Sequence, residues 1–404
     1  MACKQTSLLL AVAALAALAV CASAGSSYTR SPPRRSPPRM HAGPEPYGPP
    51  MTNAWLKMPA NGRFRVLQVA DVHYQNGANT TCQDILPEQN PCSDLNSTAL
   101  LEAMIKKEQP NLVVFTGDNV WYPDNVDIVA AQTALTKPLN DAGIPYMLTF
   151  GNHDCEAEDC RSKLIEADMK QPYSLTVSGP KELHGKGNYA YTVMGPDGRA
   201  AFALYVMDGG AYLKTEFPGS YDFIHPDQVQ WYNETSMALE KAAGRKVPGI
   251  AFTHIPMPEY DSAFVCNLPA NTTGISIGTE NDFGNKSKSG MGKVLANNCT
   301  FGSTTGVFQE GVYSANVNGG LFSAMALRGD IKMVNVGHDH VNDFCTPFYG
   351  IQLCYGGGFG YHAYGKAGWP RRARTMDLYA NGTVHTYKTL DSWGAYAEID
   401  HQSF

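Results

Sequence analysis

Seven side chains of metal-ligating type stand in five short motifs along this 404-residue chain. They are Asp71 and His73 in D-x-H, Asp118 in Gly117-Asp118-Asn119, Asn152 in Gly151-Asn152-His153-Asp154, His254, and His338 and His340 in Gly337-His338-Asp339-His340. Their donors are carboxylate, amide and imidazole without a thiolate, a set that suits Zn, Mn or Fe over a cysteine-type structural zinc. Two carboxylates, four imidazoles and one amide are too many for one ion. They fit a pair of ions sharing a carboxylate. Each motif by itself is short enough to arise by chance, and a histidine after a strand is usually a hydrogen-bonded loop residue. What binds the five together is that each falls at the same kind of place.

That place is the C-terminal end of an expected strand. Residues 64–70 form a short apolar run ending at Asp71, and residues 112–116 (LVVFT) end at Gly117-Asp118. Residues 145–150 run into Gly151-Asn152, residues 247–253 into His254, and residues 331–336 into Gly337-His338. Helices are expected between them, over residues 95–109 (stopped by Pro110), 127–142 (closed by Gly143) and 226–243. This alternation implies an α/β core with largely parallel strands, whose C-terminal ends bring loops from neighbouring strands together around a ligand. Hairpins are expected over residues 189–207 and over 374–388, the second around Asn381-Gly382. Residues 259–308, polar and holding three sequons, read as a surface insertion.

The motif series resembles that of the calcineurin-like metallophosphoesterases, over roughly residues 62–395. Residues 337–345 and 350–374 resemble a narrower group, the short plant purple acid phosphatase-like proteins and a related yeast phosphatase. The resemblance implies a four-layer α/β/β/α sandwich, a central mixed β-sandwich flanked by helices. It implies Asp71, His73, Asp118 and His340 on one metal and Asp118, Asn152, His254 and His338 on the other, with Asp118 shared. It implies His153 as proton donor or transition-state stabiliser, held by Asp154. One position departs from the purple enzymes: the tyrosine four residues after the glycine of G-D-x-x-Y is Trp121 here, followed by Tyr122, and His73 stands where they have glycine. A colourless site accepting divalent metals is therefore expected.

The chemistry implied is attack in line on phosphorus by a hydroxide generated at the metals, which about +4 of metal charge against −2 from Asp71 and Asp118 would favour. Phosphate monoesters are the expected substrates, small or protein-borne. A phosphodiesterase with the same site and a secreted binding glycoprotein that has lost turnover are the alternatives. Gly360 to Ala367 nearly matches a P-loop but lacks the final Ser/Thr, and no G-x-S-x-G elbow is present.

Composition places the chain in an exported, globular class. Hydrophobic residues make up 43% and charged residues 17%, values of a folded protein. Residues 1–24 read as a signal peptide: Lys4, an apolar run over residues 8–20, and Ala22-Ser23-Ala24. Residues 25–61 read as a Pro/Arg-rich linker, 62–395 as the catalytic domain and 396–404 as a tail. Eight cysteines remain after the signal, and proximity suggests Cys82–Cys92, Cys155–Cys160, Cys266–Cys299 and Cys345–Cys354. Seven sequons, headed by Asn79, Asn96, Asn233, Asn271, Asn285, Asn298 and Asn381, agree with a glycoprotein of the secretory pathway, the vacuole or the exterior. The net charge of −6, or −7 without Lys4, disfavours nucleic acid as a partner. No stretch after the signal is long and apolar enough for stable membrane insertion. The cluster Arg371, Arg372 and Arg374 reads as solvated or as part of a substrate rim.

Overall fold

Along the strands, alternate side chains enter different cores, and this parity builds the layers. The computed structural model describes residues 48–75, 77–121, 127–156, 160–213, 219–267 and 301–404. In chain order β1 is Met51–Lys57, β2 Arg63–Val69, α1 Asp94–Glu108, β3 Leu112–Thr116, α2 Ile128–Ala142, β4 Tyr146–Thr149 and α3 Cys160–Asp168. There follow β5 Tyr189–Met194, β6 Ala200–Val206, the two short strands β7 Tyr212–Leu213 and β8 Ser220–Tyr221, α4 Pro226–Ala243, β9 Gly249–Phe252 and α5 Glu259–Cys266. The chain continues with α6 Leu321–Arg328, β10 Ile331–Val336, β11 Cys345–Phe348, β12 Ile351–Tyr355, β13 Arg371–Tyr379, β14 Val384–Asp391 and β15 Tyr396–Ser403.

One sheet has the order β1-β5-β6-β9-β10-β12-β11 and the other β15-β14-β13-β2-β3-β4. Phe64 and Val66 of β2, Leu112 and Val114 of β3 and Met147 of β4 join Phe202, Leu204, Ile250, Phe252 and Met333 in the core between the sheets. The opposite parity of the second sheet (Leu67, Val69, Val113, Phe115, Leu148) packs on α1, α2 and α3 through residues such as Leu101, Leu135 and Leu164. Ala203, Tyr205, Ala251 and Val334 of the first sheet pack on α4, α5 and α6 through Trp231, Tyr260 and Phe322. The result is the α/β/β/α sandwich.

The centre of each sheet is parallel, as expected: β2, β3 and β4 in one, β6, β9, β10 and β12 in the other. Antiparallel strands flank both, so the sheets are mixed. The helices begin and end where their caps dictate. Ser93 accepts Leu95 N–H at the start of α1, Asp127 accepts Val129 and Ala130 N–H at the start of α2, and Gly143 closes α2 at φ 72°.

Four readings of the sequence need correction. Residues 51–57, placed in the linker, form β1, paired in parallel with β5. Residues 396–403, placed in the tail, form β15 against β14. Residues 259–266, placed in the surface insertion, form α5, whose Tyr260, Ala263 and Phe264 are buried in the core. Residues 268–300 lie outside the described residues, with Cys299, Asn271, Asn285 and Asn298. Finally, Arg371, Arg372 and Arg374 are buried rather than solvated. Arg372 pairs with buried Asp343 and stacks 3.3 Å above the Trp369 ring, while Arg374 donates to the Tyr355 and Asp343 carbonyls. A run of three arginines in a polar context gives no sign that the fold will bury it; the compensating Asp343 lies 28 residues before the first of them. The three remaining expected cysteine pairs stand at disulfide distance, with Cα separations of 5.6, 5.5 and 4.0 Å.

Candidate metal centre

The two sheets stack face to face, and the C-terminal ends of their parallel strands come together. From one sheet the tips of β2, β3 and β4 deliver Asp71, His73, Asp118 and Asn152; from the other the tips of β9 and β10 deliver His254, His338 and His340. Sharp departures from the strands are needed to turn these side chains inward. Asp71, His73, Asp118 and His338 all adopt left-handed backbone, with φ of 56°, 52°, 49° and 77°. Such strain at non-glycine residues costs on the order of 1–3 kcal/mol each and collects at functional sites. Gly151 makes room for the approach: a Cβ there would stand 2.1 Å from Asp118 Oδ1 and 2.6 Å from His254 Nε2.

All seven side chains converge, each buried. Ligand atoms of Asp71, His73, Asp118 and His340 lie within 4.8 Å of one another, and so do those of Asp118, His254 and His338. Asp118 belongs to both groups: its Oδ2 is 3.3 Å from His73 Nε2 and 3.3 Å from His254 Nε2. Asn152 Oδ1 joins the second group, 3.1 Å from His254 Nε2.

The donor set fits a pair of cations. Asp71 Oδ1 accepts the His338 backbone N–H and Asp118 Oδ1 that of His153, both at 2.9 Å, whereas Asp71 Oδ2 and Asp118 Oδ2 are buried without a hydrogen bond. A buried carboxylate oxygen left unbonded is costly unless a cation completes it. The imidazoles repeat the pattern. His73 Nε2 faces His340 Nε2 at 3.2 Å and His254 Nε2 faces His338 Nδ1 at 3.3 Å, so ring nitrogens able to ligate converge in pairs. Backbone carbonyls fix which nitrogen points inward: His254 Nδ1 donates to Thr116 O and His340 Nδ1 to Tyr364 O, both at 2.9 Å. Tyr212 Oη accepts from Asn152 Nδ2 at 2.8 Å, which turns the amide oxygen toward the cluster.

Burial and mutual charge set the protonation of the ion-free site. Burial lowers His73 to about 4 and holds His338 and His340 well below the usual imidazole value, so these three are neutral and ready to ligate. Burial would also lower His254, but Asp118, Asp71 and the Thr116 carbonyl outweigh it and raise the ring to about 9. Burial pushes Asp71 up, while for Asp118 the neighbouring His254 and His153 overcome burial and hold it down.

His153 stands at the mouth, its side chain 32% exposed and its ring 5.3 Å from that of His73. Its expected partner was Asp154; in the structure Glu156 Oε1 holds His153 Nδ1, at 2.7 Å. Asp154 turns into the protein instead, accepting Gly151 N–H at 2.7 Å and Val120 N–H at 2.9 Å, and burial raises its pKa to about 7. It shapes the Gly151–Asp154 turn and does not reach the mouth. Trp121 lies edge-on to His73 at 5.8 Å and 6.0 Å from His153, where the purple enzymes have tyrosine; Tyr122 lies outside the described residues. Tyr361 is buried with its hydroxyl on Asp391, and His362 packs 5.1 Å from Trp121 with Nδ1 on Thr81 O. Sequence reasoning missed Tyr212, Tyr364 and Glu156. No local pattern flags them, because each meets its partner only through the fold or through a three-residue step past the motif.

Comparison with known proteins agrees with this architecture. The family model described as calcineurin-like phosphoesterase matches residues 64–342. Two Arabidopsis thaliana proteins named "Probable inactive purple acid phosphatase 29" and "Probable inactive purple acid phosphatase 14" are 37% and 36% identical, covering 85% and 86% of this chain and 82% and 84% of theirs. "Phosphatase DCR2" of Saccharomyces cerevisiae is 30% identical over 85% of this chain and 56% of its own. A dimetal phosphatase from Danio rerio shares the fold at a TM-score of 0.50 and 13% identity, covering 84% of this chain and 98% of that one. With a matched span that takes in every one of the seven converging ligand positions, the chain belongs to the calcineurin-like phosphoesterase family.

Proposed function

We propose that the protein is an exported hydrolase of phosphate monoesters working with two divalent cations, Mn, Zn or Fe. One observation carries the reading: Asp118 Oδ2 is buried, without a hydrogen bond, and equidistant from an imidazole of each ligand group. Asp71, His73, Asp118 and His340 would hold one cation, and Asp118, Asn152, His254 and His338 the other. When bound, such a pair supplies Lewis acidity and lowers the pKa of water toward ~7.

The chain's own residues then orient and protonate. The buried carboxylates and the fixed imidazoles leave a site whose net charge with cations bound is positive, which draws in a phosphate dianion. With Glu156 on Nδ1, His153 keeps Nε2 as the ring atom able to give a proton to the leaving oxygen. Trp121 in place of tyrosine removes the phenolate that would colour a ferric site. Export is supported by the signal-like residues 1–24 and by three cysteine pairs at disulfide distance. Among the described residues no helix is long and apolar enough to cross a membrane.

The names of the plant relatives favour a second reading, a glycoprotein that binds metal without turnover. Loading the protein with Mn²⁺, Zn²⁺ or Fe²⁺ and assaying an aryl monophosphate beside a bis-aryl diester separates the cases. Two ions per chain and faster monoester hydrolysis support the proposal. Faster diester hydrolysis makes it a phosphodiesterase, and two ions with no turnover make it a binding protein.

A further inference from the structure

The loop that brings His362 against Trp121 puts the neighbouring Tyr361 in the wall of a separate cleft of ≈ 250 Å³. At the rim stands Trp393, 44% exposed and in left-handed backbone at φ 58°. Both properties are unfavourable for so large an aromatic residue. The turn does not need the indole, since it is closed by Ser392 N–H on Ala395 O and Gly394 N–H on Asp391 Oδ1. Glycine would serve the turn better. Trp369 forms part of the opposite lining, half-buried, and Asp84, also left-handed at φ 50°, completes the rim.

The polar groups of the cleft divide into committed and free. Asp391 accepts the Tyr361 hydroxyl, Arg371 donates to the carbonyls of Gln83, Ala363 and Tyr364, and Lys366 donates to Gln309. The two cations are balanced by Asp84 and Asp391 in the same lining, so the cleft has no excess positive charge to favour a phosphate. Asp84 uses one oxygen on Gly365 N–H and Gln89 its amide oxygen on Leu86 N–H. Among the described residues this leaves one Asp84 oxygen, the Gln89 amide nitrogen and the Ser392 hydroxyl without partners, an acceptor, a donor and a group that is both. Two acidic and two basic side chains line the cleft, so its net charge is close to zero.

A partly exposed indole, edge-to-face with the Tyr361 ring at 5.6 Å, beside mixed hydrogen-bonding groups in a cleft of near-zero net charge matches a ring with one C–H face and a rim of hydroxyls. We propose that this cleft binds a pyranose unit of a glycan, with Trp393 as the stacking platform and Asp84, Gln89 and Ser392 as the hydroxyl readers. The volume lies below the ~300 Å³ at which pockets for drug-sized ligands begin, so one ring is the expected occupant. Such a site would hold the protein on glycans and leaves the phosphoesterase reading untouched.

The test uses the full protein, trimmed of its own N-glycans by endoglycosidase. It is titrated with methyl β-glucoside, β-galactoside, α-mannoside and β-xyloside and their tetrasaccharides, read by saturation-transfer NMR and tryptophan fluorescence. At least one should bind at ~1 mM or tighter. Trp393→Gly, which suits the backbone, should keep the melting temperature and weaken that binding at least tenfold; Trp393→Phe should retain most of it. No binding by any member of the panel, binding unchanged in Trp393→Gly, or binding of a proline-rich peptide in place of sugar would each overturn the assignment.

Discussion

Asp118 divides its work between its oxygens, one on a backbone N–H and one turned into the cluster, and His153 divides its ring in the same way. Because Glu156 holds Nδ1, the two residues should act as a unit at the mouth. His153→Asn is expected to lower kcat by ~10²–10⁴ with two ions retained. Glu156→Gln should lower kcat by about tenfold, with KM and metal content little changed. Loss of metal from the His153 variant would make His153 a ligand. His254 gives a pH signature in the chelated protein. Its folded pKa of about 9 lies above the unfolded value of 6.5, so its contribution is full below pH 6.5 and is lost as pH rises through 9. Thermal melts after chelation should therefore fall between pH 6.5 and 9, and a flat or rising profile would contradict this charge balance. Cation binding must displace that proton, so apparent metal affinity should rise over the same window.

At the scale of elements, the strand tips do the positioning, and the glycines beside the ligands allow it. The Gly151–Asp154 turn is closed by Asp154 on Gly151 N–H, which brings Gly151 against Asp118 and His254. A methyl group there meets the Asp118 backbone nitrogen at 2.5 Å as well as its carboxylate, so the neighbours cannot simply rotate away. Gly151→Ala should reduce metal content measured on the purified protein to one ion or fewer and reduce hydrolysis at least ~100-fold. Gly198→Ala, at a turn with nothing within 4 Å but in left-handed backbone at φ 79°, strains the chain away from the centre and serves as the control that retains both ions.

Across the whole molecule, the centre exists only because two sheets are held in register, so what ties β13 and β14 to the loop after β10 matters. Buried Asp343 takes Arg372 and Lys388 as partners, the latter at 2.6 Å, and Lys388 also reaches Asp400 at 2.7 Å. The cations hold Asp343 below its usual carboxylate range against the opposing effect of burial. Asp343→Ala strands the buried Arg372 and leaves Lys388 with Asp400 alone, and should cost about 3–5 kcal/mol in guanidinium unfolding of the metal-loaded protein. Loss of the exposed Lys107–Glu398 pair should cost under ~1 kcal/mol.

Sequence alone determined which candidate side chains stand at strand tips, because the chemistry of a strand tip is local: apolar runs such as LVVFT fix a buried strand, and Gly-Asp or Gly-Asn after it fixes the turn. It determined α1 and α2 for the same reason, through caps and stops read within a few residues. The resemblance already implied two stacked sheets, but tertiary structure alone decided which tip belongs to which sheet, since parity within a strand does not say which sheet it joins. It also decided that Arg372 and Arg374 are interior, that Tyr212 turns Asn152, and that Asp154 faces inward while Glu156 holds His153. Each of those depends on a partner's direction or on a distant carboxylate, and a linear pattern carries neither.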